Sequence, residues 1–564
     1  MKDFLRKNKY LCILLLTFVL FYIIPYSVMT FTGGSDFKFH FNRIYSISEN
    51  IRHGKFFFPI YHTTLFNYGY ASPLFYGDLF LYPFALLLAA GLKETTVSRL
   101  VLYAIVAASI FSSYFAGKKI FRSDRSAFLL TFLYVFSSYY SLNITYRYDL
   151  GEAFAMIFIP LVTLGFYSIV YKDKKYWLWL PFGLAGVILS HTLTAVVTVV
   201  FLFLAALCSF KALLEDKKKI LYILVSALIF TGLSATFVFP LIEQLNSATF
   251  LSTSGQSATY FGTLAERAMP TSFLFSDLTM ILEKTNGSFQ WVPNGTGLFP
   301  ILTFIYGLVI LKTKEKPFYY LFTAGLITLL ATSRRFPWDL FQNIFGIIQF
   351  PWRLLMFAIL FFALAAALLV NREHKFDRYF IIAACILSSV SFWLTAEYKY
   401  REMYDATKTG FVYSFDYYSR IGSGEYMPAC KDADGDYIDY QVLTKMIEDR
   451  GETISSNNLK NSDMSFLRNY GDITVTYKNN SKDDTFIEVP LLMYKGYKAI
   501  DSNGDQLKIS YGDINTVRVF VNGSAGEFTV KYTRTPVQLI SAIISTGTLI
   551  IALYYVLKKK DVIR

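Results

Sequence analysis

Long apolar runs recur along this chain, and short polar segments with clusters of Lys and Arg separate them. A helix of about 20 apolar residues is long enough to cross the roughly 30 Å hydrocarbon core of a bilayer. The pattern therefore predicts a polytopic α-helical membrane protein with about 12 spans. The predicted spans are 10–31, 97–117, 126–142, 152–171, 177–191, 193–211, 220–240, 298–312, 317–333, 351–371, 379–396 and 536–557.

A different pattern occupies 397–535, which is polar, rich in Asp, Asn, Gly and Tyr, and has no spanning run. In its second half apolar and polar residues alternate with the period of two that is typical of half-buried strands, and Gly and Asn interrupt the alternation. This pattern predicts a β-rich, sandwich-like domain. The predicted strands are 472–477, 485–493, 507–511, 516–521 and 527–532.

Together the patterns divide the chain into a transmembrane domain at 1–396 with a first outer loop at 32–96, the β-rich domain at 397–535, and a final span with a basic tail at 536–564. The basic N-terminal MKDFLRKNK and the closing lysines predict that both termini are cytoplasmic, because Lys and Arg concentrate in cytoplasmic loops. On this topology the chain is a multi-pass protein of the cell membrane, and its β-rich domain is extracellular.

Two apolar segments need an interpretation of their own. The run 10–31 lacks a small-residue cleavage site, so we interpret it as a retained span and not as a signal peptide. The segment 74–91 is more weakly apolar. If it spanned the membrane, the basic cluster from Lys118 to Arg125 and most later clusters would face outward. We therefore interpret it as a juxtamembrane or re-entrant helix.

Composition and charge exclude several classes of function. The net charge is +13, but the basic residues lie in short clusters between spans, so we expect membrane lipid and no nucleic acid as a partner. The four cysteines have neither disulfide nor metal-ligand spacing. The chain contains no phosphate-binding P-loop, no dinucleotide fingerprint and no zinc-protease motif, so nucleotide-driven chemistry has no support.

Candidate chemistry begins directly after the first span. Asp36, His40 and Arg43 are spaced i, i+4 and i+7, which places them on one face of a helix. The spacing alone equally fits an interfacial amphipathic helix with a solvated polar face. On the predicted topology, further polar residues lie on the same side of the membrane, at the ends of other spans. They are Arg147, Asp149, Glu152, His191, Glu243 and Arg353.

Each of these residues also has an ordinary structural explanation, such as an interfacial histidine, a structural ion pair or a snorkelling arginine. Their shared side of the membrane favours a site, since charged groups near the membrane are costly. Carboxylates and a histidine can provide a general base or hold a divalent cation such as Mg or Mn. Arginines suit a phosphate. A site open to both water and lipid therefore suits a lipid-linked phosphate substrate.

The block 33–91 resembles the start of bacterial multi-spanning proteins with a GT-C glycosyltransferase-like fold, namely the YfhO-type proteins and the membrane family labelled 6-pyruvoyl-tetrahydropterin synthase-related. The matching features are an aspartate after the first span, a His/Arg helix, a Gly-x-Phe-x-x-Pro turn and a Pro-Leu-Phe-Tyr helix. They comprise Asp36, His40, Arg43, Gly54, Pro59, Pro73, Leu74 and Tyr76. Further matches are YRYDLGEAFAMIFIPLVTL, SHTLTA, FPLIEQ and QFPWRLLMFA, and in the β-rich tail PLLMYKGYKA and GEFTVKYTRTP.

The resemblance implies transfer of a sugar from a polyprenyl-phosphate donor on the outer face of the membrane. It implies that Asp36 is a catalytic base or metal ligand, and that Glu152 or Asp149 is a second acidic residue of the site, with Asp36 and Glu152 as the candidate metal ligands. The sequence does not choose between those two. The usual pair of acidic residues is absent at 36, because Ser35 precedes it, and this leaves metal dependence open.

The leading hypothesis is a membrane glycosyltransferase in which Asp36 activates the acceptor hydroxyl, Arg353 and Arg147 hold the donor phosphate, and His40 and His191 position it. Two further candidate substrate-binding residues are Arg43 and Glu243. The expected acceptor is a cell-envelope polymer such as a teichoic acid. The alternatives are a transporter of a lipid-linked substrate, which the largely apolar span centres disfavour, and a non-catalytic envelope assembly protein.

Overall fold

The computed structural model describes residues 8–254, 262–276, 281–285, 288–292, 295–415, 422, 424–479, 484–521 and 525–558. The basic tail predicted after Lys558 lies outside the described residues, as do the first seven residues of the chain.

Among the described residues, seven helices are long and apolar enough to cross a membrane. They are Lys9–Val28, Glu94–Phe121, Leu150–Tyr171, Lys217–Leu245, Pro351–Arg372, Asp377–Thr409 and Pro536–Lys558. The pair Asp124–Val135 and Ser138–Arg147, bent by 51°, makes an eighth if it is one span. Other helices are Phe37–Arg52, Leu79–Ala89, Trp179–Ile188, Thr192–Cys208, Phe210–Leu214, Leu264–Arg267, Phe299–Ile310, Lys316–Ala331, Trp338–Phe345 and Tyr440–Arg450.

Eight of the predicted spans correspond to these long helices, and the other four correspond to shorter ones. The helices at 177–191, 193–211, 298–312 and 317–333 have 10 to 17 residues. At about 1.5 Å per residue they rise roughly 15–25 Å, which is less than the hydrocarbon core. The structure therefore supports seven or eight spans by length and composition, and a total of 12 stays a prediction.

The helices Leu150–Tyr171 and Pro351–Arg372 form the centre of the helical part. They are the most enclosed of the long helices, because 78% and 83% of the residues in their most apolar 18-residue stretches are buried. Glu94–Phe121 packs against the first of them and against Asp124–Val135. The two central helices carry Glu152 and Arg353 near their N-terminal ends, so the helix packing decides where these charges lie.

The helix Phe37–Arg52 does not have a solvated polar face. His40 and Arg43 are each only 3% exposed, as enclosed as the apolar residues Phe37 and Phe41 on the same helix. The interfacial amphipathic helix considered as an alternative is therefore wrong for this segment. The following helix, Leu79–Ala89, has too few residues to span a membrane, as the juxtamembrane interpretation of 74–91 requires.

The C-terminal part forms two antiparallel sheets of four and five strands. The first sheet has the order Ser455–Ser456, Thr485–Leu492, Thr516–Val521, Ile509–Tyr511. The second has the order Met464–Asn469, Asp472–Lys478, Ala525–Tyr532, Tyr497–Asp501, Gln506–Leu507. The β-rich architecture is confirmed, with one difference: the predicted strand 507–511 divides at Lys508 and contributes to both sheets.

The β-rich part packs on the segment 60–74, which follows the helix Phe37–Arg52. Ile60, Tyr68 and Leu74 belong to the same apolar core as the inner faces of both sheets. The N–H of Leu492 donates to the carbonyl of Tyr68 at 2.9 Å. A short hairpin at Ile281–Thr285 and Ser288–Val292 stands apart from these two sheets. Phe37 and Phe41, next to the predicted site residues, belong instead to the core of the helical part, so the chain passes from one core to the other between the helix Phe37–Arg52 and Ile60.

Candidate functional site

Asp36 stands at the N-cap of the helix Phe37–Arg52. An aspartate there usually accepts a hydrogen bond from a backbone N–H of the first helical turn. The Asp36 side chain makes no such bond. Its Oδ2 instead lies 3.1 Å from Nε and 3.0 Å from Nη2 of Arg147. The side chain is 34% exposed, so this carboxylate is held by a buried cation while it remains open to solvent.

The backbone fixes the approach of Asp36 to Arg147. The N–H groups of Ser35 and Asp36 donate to the carbonyls of Tyr146 and Arg147 at 3.1 and 2.8 Å. A Cβ at Gly34 would lie 2.6 Å from the carbonyl oxygen of Arg147 and 2.7 Å from that of Tyr146. These distances are too short for a real Cβ, so only glycine at 34 permits the contact.

Arg147 is the central cation of a group that we call the ion cluster, consisting of Asp36, Arg147, Asp149, Glu152 and Arg353. Its Nη2 lies 2.7 Å from Oδ2 of Asp149, and its Nη1 lies 3.4 Å from Oε1 of Glu152. With Asp36, the guanidinium therefore meets three carboxylates. Its Nη1 also donates to Oδ1 of Asn143 at 2.9 Å. All three guanidinium nitrogens are engaged within the protein.

Asp149 caps the helix Leu150–Tyr171, and its Oδ1 accepts the N–H of Glu152 at 3.1 Å. The same oxygen lies 3.3 Å from Nε2 of His40. Burial opposes the ionisation of Asp149, but Arg147 and then the hydrogen bond from His40 hold the pKa of this carboxyl well below its usual range. In the part of the chain that the structure describes, the buried Nδ1 of His40 has no hydrogen-bond partner.

Glu152 is fully enclosed, with a side chain that is 0% exposed. Its Oε1 accepts a hydrogen bond from Nε of Arg353 at 2.6 Å. Its Oε2 accepts the hydroxyl of Tyr139 at 2.5 Å and lies 3.5 Å from Nδ2 of Asn143. A buried carboxylate is costly unless it is paired and hydrogen-bonded, and Glu152 is both. It has the contacts of a residue that holds the cluster together.

Arg353 reaches the cluster from Pro351–Leu354, the first turn of the central helix Pro351–Arg372. Besides Glu152, its Nη1 contacts the carbonyl of Ile348 at 2.7 Å and Oε1 of Gln349 at 2.9 Å. Gln349 has a φ of +64°, a left-handed conformation that is uncommon for residues other than glycine. This tight turn brings the Gln349 amide back onto the guanidinium and orients it.

Tyr76 connects the remaining predicted residues to the cluster. Its ring centroid lies 6.0 Å from that of His40 and 5.5 Å from that of His191. The guanidinium carbon of Arg43 lies 4.2 Å from the same centroid. Gly151 makes room for this ring, because a Cβ there would collide with the Tyr76 hydroxyl. His40, Arg43 and His191 thus surround one aromatic ring next to Asp149.

Arg43 differs from the cluster arginines in its partners. Its Nη2 donates to the carbonyls of Gly77 and Tyr76 at 2.5 and 3.2 Å, and its Nε has no partner among the described residues. It forms no ion pair with any carboxylate in the described part of the chain. Burial raises the pKa of Asp78 to about 6, although Arg43 opposes the rise.

Glu243 does not join the cluster. Its Oε2 accepts the hydroxyl of Thr535 at 2.5 Å, and its Oε1 lies 3.5 Å from Nζ of Lys495. The side-chain amide of the next residue, Gln244, donates to the backbone carbonyl of Lys495 at 2.8 Å and accepts the backbone N–H of Lys495 at 3.2 Å. The structure therefore places Glu243 at the joint between the helix Lys217–Leu245 and the β-rich part.

The sequence reasoning did not identify Tyr139, Asn143 and Gln349. The i, i+4 spacing of Asn143 and Arg147 could have indicated that their side chains meet. The role of Tyr139 could not be predicted, because this residue lies on the short helix Ser138–Ser141 and reaches Glu152 on another helix, a contact that no helical spacing encodes. Gln349 acts through a turn whose conformation no periodicity encodes.

The predicted metal ligands Asp36 and Glu152 do not fit a metal ion in this arrangement. Both face the same guanidinium of Arg147, and Arg353 and Tyr139 take up the oxygens of Glu152. Metal ions need ligand oxygens that converge on an open position. Within the described ranges no group of three or more His, Cys, Asp or Glu is arranged to hold a metal.

No protein-family model matches the chain. An uncharacterized protein of Lactococcus lactis subsp. cremoris is 27% identical over 351 residues, which are 60% of this chain and 56% of that protein. The chain thus matches only about half the length of this relative. A solved structure of the archaeal oligosaccharyltransferase AglB from Archaeoglobus fulgidus, in complex with an inhibitory peptide and a dolichol-phosphate, aligns with 71% of this chain and 56% of its own. The TM-score is 0.34 at 14% identity, too low to assign a fold or an activity.

Proposed function

We propose that the chain is a membrane glycosyltransferase that moves a sugar from a polyprenyl-phosphate donor to a hydroxyl of a cell-envelope polymer, such as a teichoic acid. The observation that carries the proposal is the position of Asp36. Its side chain is 34% exposed, whereas those of Asp149 and Glu152 are 4% and 0% exposed. The ion cluster therefore presents one oriented carboxylate to solvent, as a general base for a hydroxyl requires.

In the proposed reaction the acceptor hydroxyl gives its proton to Asp36 while its oxygen bonds to C1 of the sugar. The bond between C1 and the donor phosphate oxygen breaks, and the polyprenyl phosphate leaves with the bonding electrons. A single displacement of this kind inverts the configuration at C1. Arg147 keeps the Asp36 carboxylate in one orientation, which lowers the entropic cost of proton transfer.

The leaving phosphate needs cations that are not fully used by the protein. Arg147 is saturated by carboxylates and Asn143, so we assign it to holding Asp36 and not to the phosphate. Arg43, which forms no ion pair among the described residues, and Arg353 are the arginines that we assign to the phosphate. His40 and His191 flank Tyr76 beside them, and we assign them to positioning.

A lipid-linked donor suits the location of the cluster. Glu152 and Arg353 lie near the ends of the two most enclosed apolar helices. A phosphate can reach this level while its polyprenyl chain stays in the hydrocarbon core. We propose that the cluster and the β-rich part face outward, as the distribution of basic residues predicts.

The test is sugar transfer by the full-length protein in lipid nanodiscs, with a radiolabelled polyprenyl-phosphate hexose and envelope polymer as substrates. Asp36→Asn keeps the size of the side chain but removes the base, so we expect a rate loss on the order of 10²–10⁴-fold. Asp339→Asn, an exposed carboxylate elsewhere, is the matched control and should leave the rate unchanged.

Three outcomes would contradict the proposal. Wild-type transfer by Asp36→Asn at equal protein levels would remove Asp36 from catalysis. Movement of the labelled donor across the membrane of proteoliposomes, without transfer of its sugar, would identify a transporter. Full rescue of an envelope defect in cells by the Asp36→Asn, Glu152→Gln double variant would identify a non-catalytic assembly protein.

A further inference from the structure

A cavity of about 380 Å³ lies far from the ion cluster. Five cationic side chains from two separate segments line it, together with one carboxylate, Asp173. The cations are Lys118, Lys119, Arg122, Lys172 and Lys175. We call this site the basic pocket.

The basic pocket lies at the opposite end of the helix Leu150–Tyr171 from the ion cluster. Glu152 is in the first turn of this helix, whereas Tyr167 and Ser168 line the pocket. At about 1.5 Å per residue these positions are separated by roughly 23 Å along the axis. This distance approaches the thickness of the hydrocarbon core, so the pocket lies near the opposite membrane surface.

The pocket contains uncompensated positive charge. Lys118 pairs with Asp124 at 2.8 Å, and Asp173 accepts the backbone N–H of Lys175 at 3.1 Å. None of the ion pairs in the described ranges involves Arg122, Lys172 or Lys175. Helix C-terminal dipoles attract cations, and cytoplasmic loops collect them. Neither effect requires that cations from separate segments converge on one concavity.

Aromatic rings support several of these ammonium groups. Nζ of Lys119 lies 5.3 Å from the ring centroid of Tyr176, and Nζ of Lys175 lies 5.6 Å from the same centroid. Nζ of Lys172 lies 5.7 Å from that of Tyr167. Tyrosine and lysine side chains together are typical of the headgroup level of a membrane.

We propose that the basic pocket binds the phosphate headgroup of an anionic phospholipid. Basic pockets between membrane helices recognise such headgroups by charge. A lipid is favoured over a soluble phosphate because apolar surface continues from the pocket. Phe111, two turns before Lys118 on the same helix face, is 51% exposed. Acyl chains can pack along this face while the headgroup occupies the pocket.

The experiment is native mass spectrometry of the full-length protein in detergent, titrated with phosphatidylglycerol or phosphatidylcholine. We expect wild-type protein to retain phosphatidylglycerol preferentially. In the triple variant Arg122→Gln, Lys172→Gln, Lys175→Gln, the affinity for phosphatidylglycerol should fall on the order of 10- to 100-fold, because each cation near a membrane surface contributes to the attraction. The charge-keeping variant Arg122→Lys, Lys172→Arg, Lys175→Arg should retain the lipid.

The matched control is the triple variant Lys217→Gln, Lys218→Gln, Lys314→Gln, which also removes three positive charges but outside the pocket. Lys217 and Lys218 lie at the same end of the molecule, since Asp216 pairs with Lys174 at 2.6 Å. An equal loss in this control would overturn the proposal in favour of diffuse attraction. Equal retention of both lipids, or displacement of phosphatidylglycerol by millimolar inorganic phosphate, would overturn the assignment to a lipid.

A second measurement does not depend on folding of the variants. Photoactivatable phosphatidylglycerol in nanodiscs should cross-link wild-type protein to the peptides that contain 111–122 or 164–176. Cross-links confined to other peptides would overturn the proposal.

Discussion

Glu152→Gln tests whether charge holds the ion cluster together. In the wild type the Glu152 carboxylate faces the guanidiniums of Arg353 and Arg147 at 2.6 and 3.4 Å, and its other oxygen accepts the hydroxyl of Tyr139. Glutamine keeps the side-chain volume but removes the negative charge. Arg353, with a side chain that is 9% exposed, then stays buried without its carboxylate. Loss of one partner of a buried ion pair costs about 3–5 kcal/mol.

This cost predicts a lower melting temperature. In proteins of about 150–250 residues, 1 kcal/mol lowers Tm by roughly 2–4 °C. The longer chain reduces this sensitivity, so we expect Glu152→Gln to lower Tm by about 5 °C. Adding Arg353→Met removes the orphaned charge. The double variant should therefore be more stable than the sum of the single effects predicts, by about 2 kcal/mol.

The assay is thermal unfolding of the purified protein in detergent, followed by intrinsic fluorescence. Glu243→Gln is the matched control, because its partner Lys495 is 52% exposed and partly exposed pairs contribute little. Two results would refute the reasoning. One is a Tm of Glu152→Gln within about 1 °C of the wild type. The other is a double variant whose loss of stability equals the sum of the losses in the two single variants.

Three further predictions concern the neighbourhood of the cluster. Gly34→Ala should separate Asp36 from Arg147 and reduce transfer by about tenfold or more, and unchanged transfer would contradict the close approach at 34. Folding raises the pKa of Asp78 from 3.8 to about 6. Protonated Asp78 therefore stabilises the folded protein at low pH, and this contribution is lost as the pH rises from about 4 to 6. Thermal unfolding of Asp78→Asn should not show this decrease in stability. Transfer should persist in EDTA, because arginines occupy the carboxylates, and a loss that Mn²⁺ restores would support the predicted metal site.

The structure changes the roles expected for the arginines. Arg147 and Arg353 were expected to hold the donor phosphate together. Arg147 instead bridges three carboxylates, so we expect its loss to act through the position of Asp36. The two roles are separable by kinetics: loss of a phosphate contact should raise KM for the donor, whereas loss of the position of Asp36 should lower kcat.

The sequence pattern predicted the local structure where the chain has a long apolar run or a clear alternation of apolar and polar residues. Eight of the predicted apolar runs correspond to the long helices or the bent pair, and the five predicted strands lie within the two sheets. The strands Met464–Asn469 and Tyr497–Asp501 were not predicted from the sequence. Whether the shorter apolar helices cross a membrane was not readable from composition, since it depends on where each helix ends.

The sequence by itself determined the class of protein and the stretch in which to look for chemistry, because apolar run length and charged residues near the membrane have direct energetic consequences. Only the tertiary structure decided which charges meet. Asp36 and Arg147 are 111 residues apart, and Glu152 and Arg353 are 201 apart. Glu243 shared the same predicted side but lies elsewhere. Ion pairs over such separations depend on helix packing, a glycine contact and a π-helical turn, and no local pattern records these.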